Sequence, residues 1–420
     1  MFFGKKKKEK KQYYFDYAAA TPIDDEVLSL LFSHLGTNFA NPGALHGAGV
    51  ESKKILQESR TVISGLISSR SDEIVFTSGG TESDVLALKG VVDKVLLNKN
   101  LKEKPHLIVS AIEHSAIFDT AKKLKDSGLI ELSILSVDNS GRVDIDNLKN
   151  LIKESTVFIS VMYVNNEIGV IQDIPSISKE IRRLKKKIHG DRSAVYPVFH
   201  TDASQAVGSL PVGVLSLGID LMSFNSGKIY GPKGVGALFV KRKTPISSVF
   251  YSSGQEFGLR PGTEPVALIA GFAKAMQVSE KHKDKEFLRQ KENRKYFLKE
   301  LENISMEPSL NSLDLSYKIN QTEDYTVPHI VHLSFKGLES DQLVIELDSR
   351  NIFVSAKSAC KTLDPQTSHV LQSIGYKDNS WGSVRFSFGR NTNKDDIDFA
   401  IAALKEVLIK LLHTKKEFNL

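Results

Sequence analysis

Val157-Phe158-Ile159-Ser160-Val161-Met162 is a short, mainly apolar run, and Tyr163-Val164-Asn165-Asn166-Glu167-Ile168-Gly169 follows it directly. β-Branched and aromatic residues closed by a polar turn read as a strand buried on both faces. Downstream, Ser176 to Ile188 spaces its apolar residues by three and four, the period of a helix, and Val198-Phe199 opens the next apolar run. The alternation extends in both directions. Ile74-Val75-Phe76, Leu107-Ile108-Val109, Ile134-Leu135, Ile219 to Phe224 and Leu238-Phe239-Val240 read as strands, and Glu82 to Leu97 as a helix. Alternating β and α units predict an α/β fold, a mostly parallel sheet covered by helices.

Past Pro265 the texture changes. Val266 to Asn303 is one long helical stretch, dense in charge from Lys281 to Lys299, and reads as a helix leaving the first domain. Beyond it come strand-like Ile330 to Phe335 and Val384 to Phe388, with helical Asp341 to Ser349 and Asp395 to Leu412. These predict a smaller α+β domain of about 120 residues.

Composition sets outer limits. The 420 residues carry a formal charge of +6, yet Met1 to Lys11 alone hold six lysines against one glutamate. The body is therefore near neutral, and no nucleic-acid partner is expected for it. The basic stretch reads as a solvated, disordered tail. No signal peptide is expected, because no apolar core follows the charges. No run reaches the ~18 apolar residues of a membrane span. A single cysteine cannot form an internal disulfide, a zinc ribbon or a one-chain iron–sulfur site, and the histidines offer no zinc-protease pair, so no metal is expected. A cytoplasmic location is expected.

Six segments could carry chemistry. Thr77-Ser78-Gly79-Gly80-Thr81-Glu82-Ser83 joins a strand to a helix, where free N–H groups attract phosphate; a plain glycine turn with a threonine cap is the equal alternative. Asn165 and Asn166 end a strand where α/β sheets bind ligands, although asparagines also bond their own turns. Asp202 in His200-Thr201-Asp202-Ala203-Ser204-Gln205 could pair with a cationic ring nitrogen or cap the next helix. Lys228 in Ser226-Gly227-Lys228-Ile229-Tyr230-Gly231 could be a Schiff-base amine or a surface lysine; the segment is no nucleotide-binding P-loop, with Met222 and Ile229 at two required positions. Cys360 lies between Lys357 and Lys361, cations that lower a thiol pKa, while a lone cysteine is more often a small buried hydrophobe. Arg385 begins a strand-like run and suits two-point capture of a carboxylate, or an edge salt bridge.

Together these segments resemble the cysteine desulfurases, pyridoxal-phosphate enzymes of the class V aminotransferase group with fold type I. The likeness covers the chain beyond the tail. It runs from Tyr14-Phe15-Asp16-Tyr17-Ala18-Ala19-Ala20-Thr21-Pro22 through Asn41-Pro42-Gly43, the Thr77 loop, Glu113-His114, Asn165 to Gly169, Asp202 to Gln205 and Lys228 to Arg260-Pro261-Gly262-Thr263 and Arg385. It implies pyridoxal 5'-phosphate as cofactor and a large cofactor-binding domain (22–265). It further implies a connecting helix (266–303) and a small domain (13–21 with 304–420), after a tail of residues 1–12. It makes Lys228 the cofactor-linking lysine, Asp202 the ring-nitrogen partner and Gln205 the partner of the ring hydroxyl. His114 would stack on the ring and shuttle protons. Gly80 and Thr81 would hold the phosphate, Asn166 and Arg385 the substrate carboxylate, and Cys360 would accept sulfur as a persulfide. Thr263 would reach a neighbouring subunit's phosphate, so a homodimer is implied.

Departures from the family are specific. Gly227 stands where a phosphate-binding histidine is usual, and Asn225 and Ser226 are polar residues that would take over that role. Ala356 and Lys357 alter the cysteine loop, and Phe257 stands where arginine is common. The expected activity converts L-cysteine to L-alanine and hands sulfur to an acceptor protein such as an iron–sulfur scaffold. Selenocysteine lyase activity and a non-catalytic binding partner are the alternatives.

Overall fold

The apolar runs become strands because β-branched and aromatic side chains fit a pleated surface covered on both faces. The computed structural model describes residues 11–98, 101, 103–190, 194–251, 254–322, 324–356, 368–376 and 380–418. Most of the basic tail and Cys360 with its flanking lysines lie outside the described residues. The strands of the first part are β1 (Tyr13–Tyr14), β2 (Ile74–Thr77), β3 (His106–Ser110), β4 (Glu131–Leu135), β5 (Thr156–Ser160), β6 (Val198–Asp202), β7 (Leu221–Asn225) and β8 (Gly236–Val240). All but β1 form one seven-stranded sheet in the order β2-β8-β7-β6-β5-β3-β4. Neighbours run parallel except at β8, which is antiparallel to both β2 and β7. The mostly parallel sheet read from the sequence is thus present.

Helices α1 (Asp25–Leu35), α2 (Gly47–Leu66), α3 (Gly80–Leu96), α4 (Ser115–Asp126), α5 (Ile145–Leu151), α6 (Ile174–His189) and α7 (Val214–Leu217) accompany this sheet. Side chains of Asp24, His114, Asp144 and Asp173 accept first-turn N–H groups and start α1, α4, α5 and α6. Alternation along each strand divides two cores. Ile108, Ile159, Phe199 and Met222 join one face's cluster. Leu107, Phe158, Val198 and Leu221 join the other, with Leu86 and Val91 of α3.

Helix α8 (Val266–Ser305) has 40 residues, about 60 Å at 1.5 Å per residue. Ile269, Phe272 and Met276 belong to the first core, whereas Phe297, Leu301 and Ile304 belong to a third. One helix therefore serves two cores, and its charged middle lies between them. The third core is built by α9 (Pro308–Asn311), β9 (Tyr317–Ile319), β10 (Ile330–Lys336), α10 (Ser340–Asp348), β11 (Ile352–Phe353), β12 (Trp381–Ser387) and α12 (Lys394–Phe418), while Val370 and Leu371 of α11 (His369–Ser373) pack in a small separate cluster with Ile112, Met162 and Ile168. Strands β12, β10 and β9 form an antiparallel sheet, and β1 pairs in parallel with β11. The chain's start is thereby sewn to its last quarter: Ser387 N donates to Phe15 O (2.7 Å) and Ala18 N to Ser387 Oγ (2.9 Å).

Candidate active site

Parallel strands all point their carboxyl ends to one edge, and polar residues following them meet there. The turn after β2 gives Gly79, Gly80 and Thr81; β5 leads to Met162 and Asn166; β6 gives Asp202, Ser204 and Gln205; β7 leads to Asn225 and Lys228. They line one cavity of about 290 Å³, together with His114, Ala18 to Ala20, Lys233 and Arg385. Gly80 and Thr81 occupy the first turn of α3, where N–H groups lack intrahelical partners. A Cβ at Gly80 would stand 3.0 Å from Asn225 Nδ2 and 3.2 Å from Ser204 Oγ, so both polar groups converge on that helix start. A Cβ at Gly236 of β8 would lie 2.8 Å from Gly79 Cα, so the phosphate-type loop rests on bare backbone.

The alternatives left open by the sequence resolve residue by residue. In the asparagine pair the two readings divide. Asn165 holds the turn: its Oδ1 accepts from Glu167 N and Ile168 N (both 2.9 Å) and its Nδ2 donates to Ile112 O (2.9 Å). Asn166 lines the cavity. Asp202 uses Oδ1 to accept from Ser204 N (2.8 Å) and still faces the cavity. Lys228 is no surface lysine. Its Nζ donates to Ala18 O (2.9 Å) and Ala19 O (2.5 Å), and Gln205 Nε2 donates to Ala18 O (2.8 Å). His114 Nδ1 accepts from Ala116 N (3.2 Å), which fixes the ring's position at the start of α4.

Arg385 is 2% exposed, deeper than an edge salt bridge. Nη1 donates to Asn166 O (2.7 Å), Nη2 pairs with Asp16 Oδ1 (2.6 Å), and the buried Nε has no hydrogen-bond partner among the described residues. Two residues of the expected set do not line the cavity. Ser226 is buried behind it with an unpartnered Oγ, because Gly231 packs against that hydroxyl. Thr263 is exposed at the molecular surface, beyond Arg260, whose Nε pairs with Glu82 Oε1 (3.0 Å). Cys360 lies between Ala356 and Ser368, outside the described residues. Arg385 N donates to Ser355 O (2.7 Å) on one side; on the other, Ser368 Oγ donates to Glu167 Oε2 (2.6 Å).

Sequence reasoning missed Asp16, Asp84, Met162, Ser204, Lys233 and the Ala18–Ala20 carbonyls as site components. The carbonyls are backbone groups with no compositional signal. Tyr14 holds them, its hydroxyl donating to Ala20 O (2.8 Å), and burial pushes its phenol up to about 12, so it stays a neutral donor.

For pyridoxal phosphate the cavity has one group per part: a helix start for the phosphate, a carboxylate for the ring nitrogen, an amine for the aldehyde and an imidazole beside the ring. The unpartnered Arg385 Nε suits a substrate carboxylate. The residues fit the cofactor. Comparisons with known proteins agree. Residues 13–399 match the Aminotransferase class-V family. Cysteine desulfurase IscS of Dictyoglomus turgidum is 37% identical over 397 residues, 94% of each chain. A solved NifS-like protein superposes with a TM-score of 0.83 at 28% identity, covering 96% of this chain and all of its own. SspA in complex with cysteine gives 0.71 at 29% identity, covering 90% and 99%. A match over nearly the whole length, on a fold and cavity that suit the cofactor, makes this chain a member of the pyridoxal-phosphate-dependent class-V aminotransferase family.

Proposed function

We propose that this chain is a cysteine desulfurase that converts L-cysteine to L-alanine and leaves the sulfur as a persulfide on Cys360. The observation that carries the reading is the convergence of Lys228, Asp202, His114, Asn166 and Arg385 on one cavity, in a chain whose relatives are cysteine desulfurases. Bound pyridoxal phosphate supplies an electron sink that weakens bonds at the substrate's α and β carbons. Lys228 supplies the amine that anchors the aldehyde. Asp202 holds the ring nitrogen's proton, and Gln205 faces the ring hydroxyl. Gly80 and Thr81 hold the phosphate, with Asn225 Nδ2 and Ser204 Oγ as side-chain donors in place of the missing residue-227 side chain.

Arg385 and Asn166 orient the substrate carboxylate, and His114 moves protons on the cavity side. The Cys360 thiolate attacks the substrate sulfur: an S–S bond forms, the Cβ–S bond breaks, and Cβ takes a proton to give alanine. The sulfur then passes to an acceptor protein, such as an iron–sulfur scaffold. A homodimer is part of this reading. Phe39, Leu45 and Tyr251 are large apolar side chains left exposed. Two domains joined by α8 and a cytoplasmic location complete it; among the described residues no helix is long and apolar enough to cross a membrane.

The test uses purified protein with L-cysteine. Borohydride reduction should fix the cofactor's mass on the Lys228 peptide, and the Cys360 peptide should gain ~32 Da, one sulfur. Cys360→Ser should keep the bound cofactor and lose persulfide and sulfide. Labelling of another lysine, or full activity in the serine variant, overturns the assignment.

A further inference from the structure

Lys228 stands between two cavities. Ser204, Gln205 and Lys228 line both the large cavity and a smaller one of about 50 Å³, whose further walls include Tyr230, Ser279 and Arg390. Space is therefore left beside the lysine on that flank, and close packing does not by itself fix where its loop sits. The backbone that follows is also strained. Tyr230 has a φ of 65°, a left-handed conformation that a bulky residue keeps only where its surroundings enforce it.

The polar ties on this turn converge on Arg390, three residues past β12. Its Cζ lies 4.1 Å from the centre of the Tyr230 ring, and its N donates to the Tyr230 hydroxyl (2.8 Å). Nη2 donates to Ser279 Oγ of α8 (3.1 Å), which donates in turn to Ile229 O (3.2 Å). Nη1 pairs with Asp24 Oδ2 (2.9 Å), and Asp24 N donates to Tyr230 O (2.9 Å). One guanidinium thus reaches both residues after Lys228 by separate routes. Arg390 is itself anchored through its neighbour: Gly389 O accepts from Arg289 Nη2 (2.7 Å), and Gly389 N donates to Thr392 Oγ1 (2.9 Å). Thr21 is the opposing jaw. Its N and Oγ1 both donate to Gly227 O (3.1 Å each), and Oγ1 accepts from Tyr230 N (2.8 Å). The turn is gripped between the chain's first segment and the small domain.

We propose that Arg390 is a positioning residue for Lys228: it holds the 228–230 turn in its left-handed form and so keeps Nζ against the Ala18 and Ala19 carbonyls at the large cavity. The task suits arginine, whose planar cation stacks on a ring while its two ends bond different partners. A lysine could keep the pair with Asp24 and little else. The same segment carries Arg385, so the small domain supplies one arginine to the cavity and another to the turn that bears Lys228. The value of this to cofactor binding rests on the proposed function, whereas the hold on Lys228 does not.

Two readouts test it. In the holoenzyme, Arg390→Met should release cofactor about tenfold faster, as expected for losing a charge-assisted tie, and shift the visible absorbance of the lysine-linked cofactor. In the cofactor-free chain, acetylation of Lys228 by acetic anhydride, read by peptide mass against the exposed Lys187, should quicken about threefold as the turn opens locally. Both are measured where circular dichroism shows the chain folded. Arg390→Lys should regain thermal stability without regaining either readout, which a merely structural role would not do. Ser279→Ala cuts only the Ile229 route and should move both readouts the same way by less; it decides if Arg390→Met fails to fold. Wild-type labelling and absorbance in folded Arg390→Met overturn the proposal, as does their full recovery in Arg390→Lys. Cofactor fixed by borohydride on another lysine would overturn the functional reading and leave the Lys228 labelling result standing.

Discussion

A Cβ added at Gly227 would meet Lys233 Cγ at 3.5 Å and Asn225 Oδ1 at 3.7 Å, ordinary contacts, so a side chain fits there. Gly227→His should tighten cofactor binding roughly tenfold, the worth of one charge-assisted hydrogen bond of about 1.5 kcal/mol. Equal affinity by titration would mean that Asn225 and Ser204 already saturate the phosphate. At Arg385 the planar fork reaches Asn166 O and Asp16 at once. Arg385→Lys keeps the charge and loses that geometry, so KM for L-cysteine should rise about ten- to a hundredfold, with cofactor absorbance retained. Single residues were legible in the sequence where chemistry is carried by side-chain type. Lys228, Asp202 and Arg385 could be named from their segments. Which asparagine of the pair lines the cavity was legible only through the family resemblance, which names Asn166, because side-chain type alone does not separate it from Asn165.

Among the elements, the loop around Glu256 combines a strained backbone with a buried ion pair. Glu256 and Phe257 both adopt positive φ (45° and 59°), a left-handed conformation that costs non-glycine residues about 1–2 kcal/mol each. The loop is held by a buried two-point ion pair, Arg60 Nη2 to Glu256 Oε1 (2.6 Å) and Nη1 to Oε2 (2.8 Å), and Phe76 N donates to the same carboxylate (2.7 Å). Arg60→Ala would leave that carboxylate buried without its cation and should cost ~3–5 kcal/mol, read from the denaturant midpoint. Because Phe76 precedes the Thr77 loop, cofactor affinity should fall with it. Strands and helices from residue 74 to 240 were legible because their apolar period is strong. The reversal of β8 was not, since an apolar run has no direction. Strands β1 and β11, two residues each, are too short for any period to show.

On the scale of the whole molecule, Glu113 links stability to pH. Its pKa rises from 4.5 to about 7, chiefly through burial. A raised carboxyl binds its proton more tightly in the folded state. The stabilisation is complete below about 4.5, fades as pH rises through the window, and is gone above about 7; it amounts to roughly 3 kcal/mol. Unfolding free energies measured from pH 5 to 8 should fall more steeply in wild type than in Glu113→Gln, and parallel curves would refute the assignment. The division into a sheet-centred part and a smaller α+β part followed from the change in texture after Pro265. What joins them at the cavity did not, because Asp16 meets Arg385 across 369 residues and no local pattern records such a contact.

That stitch has a consequence for how the protein is made. Residues 13–20 leave the ribosome long before their partners Ile352, Phe353, Arg385 and Ser387. The large sheet has all its strands by Val240, so it can fold while synthesis continues. The carbonyls of Ala18 and Ala19 that hold Lys228 gain the β12 anchor only once Ser387 has been made. A nascent chain stalled before Trp381 would thus carry a folded sheet with an unsealed cavity, and cofactor capture would wait for β12.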